Sequence, residues 1–203
     1  MIQATKKRGR PRSYDADRAL AQARDVFWDA GYAASSLDSL GAAMAMNRPS
    51  LYGAFGDKEA LYLKTLERYR EQSVAAMRQA LDPARSLRDG LRAVYAAALA
   101  TYLAGGHGAR GCLLIGTAAT EAVLNEEVRH LLGASLVAFD QVIEERMRVA
   151  RDRGELSKSA DVAALARLAS AVMHSLAVRA RAGASRAALK ALADAGVKMI
   201  CGD

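Results

Sequence analysis

GYAASSLDSLGAAMAMNRPSLYGAFGDKEAL, residues 31–61, is the stretch that decides the fold. Each time an apolar run begins at helical spacing, a residue able to cap a helix stands before it. Ser35 or Ser36 precedes LDSLGAAMA, where Leu37, Leu40 and Ala43 or Met44 share one face. Asn47 precedes RPSLYGAF, with Arg48 and Pro49 in its first turn, where proline costs little, and an end near Gly56. Asp57 caps the next helix, which carries Tyr62, Leu66, Tyr69, Met77 and Leu81 on one face until Asp82-Pro83 stops it. Upstream, Asp15 or Asp17 caps a first helix through Leu20, Ala23, Phe27 and Ala30, with Gly31 as its C′ residue. Three short helices, with about four residues between the second and third, describe a helix-turn-helix unit.

Working outward, residues 1–12 have no apolar period. Lys6, Lys7, Arg8, Arg10 and Arg12 precede the first acid, so this is expected to be a basic, flexible arm. Beyond Pro83 there is no further proline in the remaining 120 residues, and alanine and leucine dominate. Helices are expected from about Ser86 to Leu103, from near Cys112, from about Asn125 to Arg153, from Ser159 or Asp161, and through Leu189, Leu192, Gly196 and Ile200. The expected fold class is all-α, since the best helix former is abundant and strand formers are few.

At 203 residues and 52% apolar, the chain is long enough to bury a core without a staple. Cys112 and Cys201 make no metal spacing, and His107, His130 and His174 fall on three elements. No cofactor and no metal are expected. The charged N-terminus is no signal peptide, and no apolar span of membrane length stands out, so a cytoplasmic protein without a membrane partner is expected. A net charge of +7 is weak evidence for nucleic acid, but its concentration in the arm is stronger. Phosphate-loop, nucleophile-elbow and paired-histidine motifs are missing, so an enzyme is not expected.

Tyr32, Ser35, Ser36, Leu37, Leu40, Leu51, Tyr52, Phe55, Lys58, Glu59 and Leu61 stand in the order and spacing of a known pattern. On these residues the N-terminal unit resembles the TetR/AcrR family of helix-turn-helix transcriptional regulators. The resemblance implies about nine helices. Residues 13–57 would bind a double-stranded DNA operator, and residues 58–203 would bind a small-molecule effector and form a homodimer. It further implies a repressor released by that effector, and it assigns Ser36, Tyr52 and Lys58 to phosphate. One departure is Ala45, at the turn position where the family usually has glycine. Either the turn avoids positive φ or Ala45 carries strain of about 1 kcal/mol.

Groove geometry adds to this. Side chains near the N-terminus of a recognition helix reach base edges, which here are Asn47, Arg48, Pro49 and Ser50. The Arg48 fork suits a guanine O6/N7 pair, and Pro49 suits a thymine methyl. Gly53 and Ala54 offer little, so base readout should be thin. Arg8, Arg10 and Arg12 suit a narrow minor groove, or else only add phosphate attraction.

In the C-terminal part, Tyr95, Tyr102, Cys112, Phe139, Met147, Met173 and His174 are the candidates for an effector pocket, although each taken alone fits an ordinary core. Cys112, beside Arg110 at a helix start, is a candidate for a lowered thiol pKa, against the usual small buried hydrophobe. Leu165, Ala169, Val172, Leu176, Leu189, Leu192 and Gly196 on the last two helices are the candidates for the dimer interface. The rival to the regulator is a sequence-tolerant architectural DNA-binding protein without a ligand.

Overall fold

The computed structural model describes residues 15–105 and 108–202. The arm with Arg8, Arg10 and Arg12, and His107, lie outside the described residues. Helix α1 (Ala16–Ala34) is capped by Asp15 and breaks at Gly31, whose φ of 78° and ψ of 172° no helix contains. Ser36 caps α2 (Leu37–Met44), Asn47 caps α3 (Arg48–Phe55) and Asp57 caps α4 (Lys58–Ala80). Ser86 caps α5 (Leu87–Leu103), Asn125 caps α7 (Glu126–Asp152), Asp161 caps α8 (Val162–Arg181) and Ser185 caps α9 (Arg186–Cys201). In each case the side chain accepts from a backbone N–H of the first turn, a group the helix itself cannot satisfy. No strand occurs among the described residues.

The helix expected near Cys112 is unusual. After Leu113 a π-helical turn, Leu114–Ala118, runs into the three-residue α6, Ala119–Glu121. Gly116 within it leaves room for a guanidinium, since a Cβ there would stand 2.5 Å from Arg181 Nη1. Such turns are rare and tend to sit near functional sites.

The turn between α2 and α3 is held by two small residues. A Cβ on Gly41 would stand 2.7 Å from the Met46 carbonyl oxygen, so glycine alone lets the chain return this closely. Ala45 takes the left-handed conformation, φ 50° and ψ 39°, and is the sole non-glycine residue at positive φ among those described. Of the two readings open for Ala45, the structure takes the strained one. Ala45→Gly should therefore raise the unfolding free energy by about 0.5–1 kcal/mol, the relieved strain outweighing the extra chain entropy. A lower denaturant midpoint in the variant would contradict the strain.

Around the unit, Phe27, Leu40, Leu51, Phe55, Leu61 and Tyr62 form a core continuous with that of the C-terminal helices. Helix α4 belongs to both halves: it packs on α1 and α3 at one end and on α5 and α7 further along. Helix α8 is long and apolar enough to cross a membrane, contrary to the sequence expectation that no such span exists. Its Ala166, Ala169, Met173, Leu176 and Ala177 instead pack into the protein's own core.

The same packing redistributes the residues expected at a dimer interface. Ala169, Leu176, Leu189 and Gly196 are buried within the protomer, Leu176 completely. Gly196 meets Val172, whose methyls would stand 3.0 and 3.1 Å from any Cβ placed there, and this sets the close approach of α8 and α9. Leu165, Val172 and Leu192 are half-buried. The apolar side chains that face outward are Leu168 and Val178 on α8 and Met199 on α9, at 42%, 56% and 75% exposure.

Candidate nucleic-acid interface and the cavity behind it

Leu51 and Phe55 anchor α3 in the core, and this anchoring turns Asn47, Arg48, Pro49, Ser50, Tyr52 and Gly53 to the exposed side. The expected contact residues of this helix thus share one face. Several of the expected polar groups are already engaged. Asn47 Oδ1 accepts from Ser50 N at 2.9 Å, and Ser36 forms a reciprocal cap with Ser39. Lys58 sits at the start of α4 with its ammonium 4.3 Å from the centre of the Tyr32 ring, a cation–π contact that holds it near this surface. Arg48 pairs with Asp38, Nη2 to Oδ2 at 2.7 Å, which lowers the Asp38 carboxyl below its ordinary range.

Behind this unit lies a cavity of about 80 Å³ between α4, α5, α7, α8 and Cys112, which lies two residues before the π-helical turn. Its apolar wall includes Met77, Val94, Phe139 and Met173. Its polar groups are the Tyr69 and Tyr102 phenols, the Ser73 and Thr101 hydroxyls and the Cys112 thiol, with no charged side chain among the described lining. Of the candidate pocket residues, Tyr102, Cys112, Phe139 and Met173 meet here. The others do not. Met147 is fully buried in the core, and Tyr95 lines a separate groove between α5 and α9 while its hydroxyl donates to the Ala169 carbonyl at 3.1 Å. His174 is no part of this wall, and burial lowers its pKa, so it is held neutral. Tyr69, Ser73, Met77 and Val94 were missed as lining. Their spacing reads simply as core, and only the packing of α4 against α5 shows that a space is left between them.

For Cys112 the structure favours the small buried hydrophobe over the activated thiol. Burial pushes its pKa up, although backbone N–H groups and the Tyr69 hydroxyl, 3.5 Å from Sγ, act in the opposite direction. The nearby Arg110 charge does not rescue the thiolate, because Arg110 faces α1. At neutral pH the thiol stays protonated and covered. With iodoacetamide under native conditions, the half-buried Cys201 should be alkylated first and Cys112 only upon unfolding. Faster labelling of Cys112 on peptide mapping would show an accessible thiolate.

Three contacts tie the two halves together. Arg110 Nη1 lies 3.0 Å from Asp25 Oδ1 and Nε lies 2.9 Å from Asp29 Oδ1, with the guanidinium 5.7 Å from the Trp28 ring centre. Asp25 and Asp29 are one helical turn apart on α1, so one fork bridges both. Tyr62 on α4 and Thr117 in the π-helical turn share a buried hydrogen bond of 2.7 Å, and burial pushes the phenol pKa up to about 12, with the Thr117 bond acting in the opposite direction. Asn125 donates to Glu59 at 2.7 Å. The clamp and the cavity wall are two residues apart: Arg110 grips α1, Cys112 faces the cavity, and Gly111 between them has a φ of 67°. A Cβ at 111 would stand 2.7 Å from the Ala177 carbonyl oxygen, which pins this segment to α8.

Known proteins share both halves. Residues 19–65 match the family described as bacterial regulatory proteins, tetR family, and residues 88–195 match the tetracyclin repressor-like C-terminal domain. Over 194 residues the chain is 28% identical to the HTH-type transcriptional repressor ComR of Escherichia coli (strain K12), covering 96% of this chain and 92% of that protein. Among solved structures, a cysteine mutant of the TetR family transcriptional regulator CifR, complexed with 26bp double-strand operator DNA, is 35% identical. That likeness has a TM-score of 0.79 and covers 93% of this chain and 98% of the other. Reduced NemR of E. coli, at 21% identity and a TM-score of 0.78 over 91% of this chain and 95% of its own, shares the fold. With the helix-turn-helix exposed on one side and a helical domain matched over more than half of its length on the other, the chain belongs to the TetR family of bacterial regulatory proteins and is a DNA-binding regulator of transcription.

Proposed function

We propose that the protein is a cytoplasmic, homodimeric repressor that leaves its operator when a small uncharged molecule enters the cavity lined by Tyr69, Tyr102 and Cys112. The observation that carries this reading is the two-residue step from Arg110, clamped on α1, to Cys112 in the cavity wall. A charged effector would lose its hydration here without gaining a counter-charge, at a cost of several kcal/mol. At about 80 Å³ the space is roughly half that of a cavity that admits benzene. A ring-sized effector therefore has to push the walls apart. Helix α4 is one of those walls and also packs on α1 and α3, so the displacement reaches the recognition helix.

On DNA, Arg48 and Pro49 face base edges, with Asn47 and Ser50 beside them, while Ser36, Tyr52 and Lys58 contact phosphate. Arg8, Arg10 and Arg12 add charge along the adjoining groove. Two copies of α3 must lie about 34–36 Å apart to enter successive major grooves, and an effector that favours another spacing releases the DNA. The dimer is built from the outward faces of α8 and α9 around Leu168, Val178 and Met199.

The test is differential. Arg48→Ala should weaken binding to a selected operator by about tenfold or more and leave random-sequence duplex little changed. Equal losses on both would reduce Arg48 to a phosphate contact. In the same assay, small uncharged molecules should release the operator where carboxylates and amines of the same size do not. Release by the charged compounds alone would contradict the proposed chemistry of the cavity.

A further inference from the structure

Arg48 is held by a bidentate pair with Asp38. Its Nε donates to Asp38 Oδ1 at 2.9 Å and its Nη2 donates to Asp38 Oδ2 at 2.7 Å. These two parallel bonds use one edge of the guanidinium. Left over are three hydrogens, of which one on Nη1 and the outer one on Nη2 point together along the end of the side chain. That remaining end is a two-donor fork of the kind that matches guanine O6 and N7 in the major groove.

The placement of Asp38 is informative as well. It is the second residue of α2, and Arg48 is the first of α3, so the pair spans the turn that sets the angle between the two helices. Side-chain exposures of 60% for Arg48 and 74% for Asp38 put the pair in water, where an ion pair does little for folding. A carboxylate beside Ser36, on a surface that has to approach phosphates, opposes general DNA attraction. What the acid does supply is direction for the one guanidinium that heads the recognition helix.

We infer that Asp38 is a positioning residue that holds Arg48 with its free end toward a single guanine, lowering affinity for DNA in general and raising discrimination at that base pair. This rests on the reading that Arg48 faces base edges.

The experiment selects binders from a pool of random-sequence duplexes at one fixed salt concentration, using the full-length wild type, Asp38→Ala and Arg48→Lys, with circular dichroism to confirm that each is folded. The wild type should enrich a two-fold symmetric site with a guanine in each half. Asp38→Ala should lose preference for that guanine over the other bases by about tenfold while binding unselected DNA more tightly. Arg48→Lys keeps the charge but not the fork and should lose the same preference. If Asp38→Ala enriches the same guanine as strongly as the wild type, Asp38 does not position Arg48, and the inference falls while the repressor reading stands. Equal weakening on selected and unselected DNA would mark a merely structural role and also overturns it. Enrichment of no sequence by the wild type would remove both.

Discussion

Leu168→Glu should give a folded monomer that no longer holds its operator, whereas Leu176→Glu should not fold. The two leucines lie two helical turns apart on α8, and periodicity alone treats them alike. Leu168 is 42% exposed in the protomer, and Leu176 has no exposure at all. A glutamate at 176 would be buried without a counter-charge, costing about 4 kcal/mol or more, a large part of the stability of a domain this size. At 168 the charge would stay in water in the free protomer and be buried only where α8 and α9 meet their mates. A monomer carries one α3, and a half-site with so few base contacts binds at least about a hundredfold more weakly than two linked half-sites. Light scattering and circular dichroism on the two variants separate the outcomes. A dimeric Leu168→Glu protein would move the interface elsewhere.

Arg110→Ala should disconnect the two halves. The Arg110 side chain is 20% exposed and bridges Asp25 and Asp29, so its removal leaves the two carboxylates without the group they share, Asp25 keeping only its pair with Arg24. Stability should fall by about 2 kcal/mol, less than for a fully buried pair because water still reaches the site. The more telling change is in coupling. An uncharged compound that releases the wild type from its operator should still raise the melting temperature of Arg110→Ala, because the cavity wall is intact. Its effect on operator affinity should shrink by about tenfold. Arg110→Lys keeps the charge but cannot bridge both carboxylates, and should fall between the two. Full release in Arg110→Ala would move the transmission to the Tyr62–Thr117 and Asn125–Glu59 contacts.

Most of the helical skeleton was legible because capping is local. Asp15, Ser36, Asn47, Asp57, Ser86, Asn125, Asp161 and Ser185 each stand one residue before the helix they cap. The exposed face of α3 was legible for a related reason, since Leu51 and Phe55 are one turn apart and fix the helix rotation. The inward side of α8 was not. Leu165, Ala166, Leu168, Ala169, Val172, Met173 and Leu176 wrap most of the helix in apolar surface, so their spacing cannot choose between the protomer's core and a partner. Nor was the π-helical turn, where the Arg181 guanidinium lies against Gly116 from a helix more than sixty positions away. The Arg110 clamp joins residues more than eighty positions apart, and in the sequence its sole trace is the pair Asp25 and Asp29 at one-turn spacing.

Specificity for one DNA sequence is what separates a regulator of this kind from an architectural protein. The direct measurement is the Kd of the wild-type protein for a duplex enriched from a random pool, and for a scrambled duplex of the same length and base composition, at one stated salt concentration. The enriched duplex should bind at least about a thousandfold more tightly. Affinities within about threefold of each other would contradict the account and leave a protein that grips DNA through its phosphates alone.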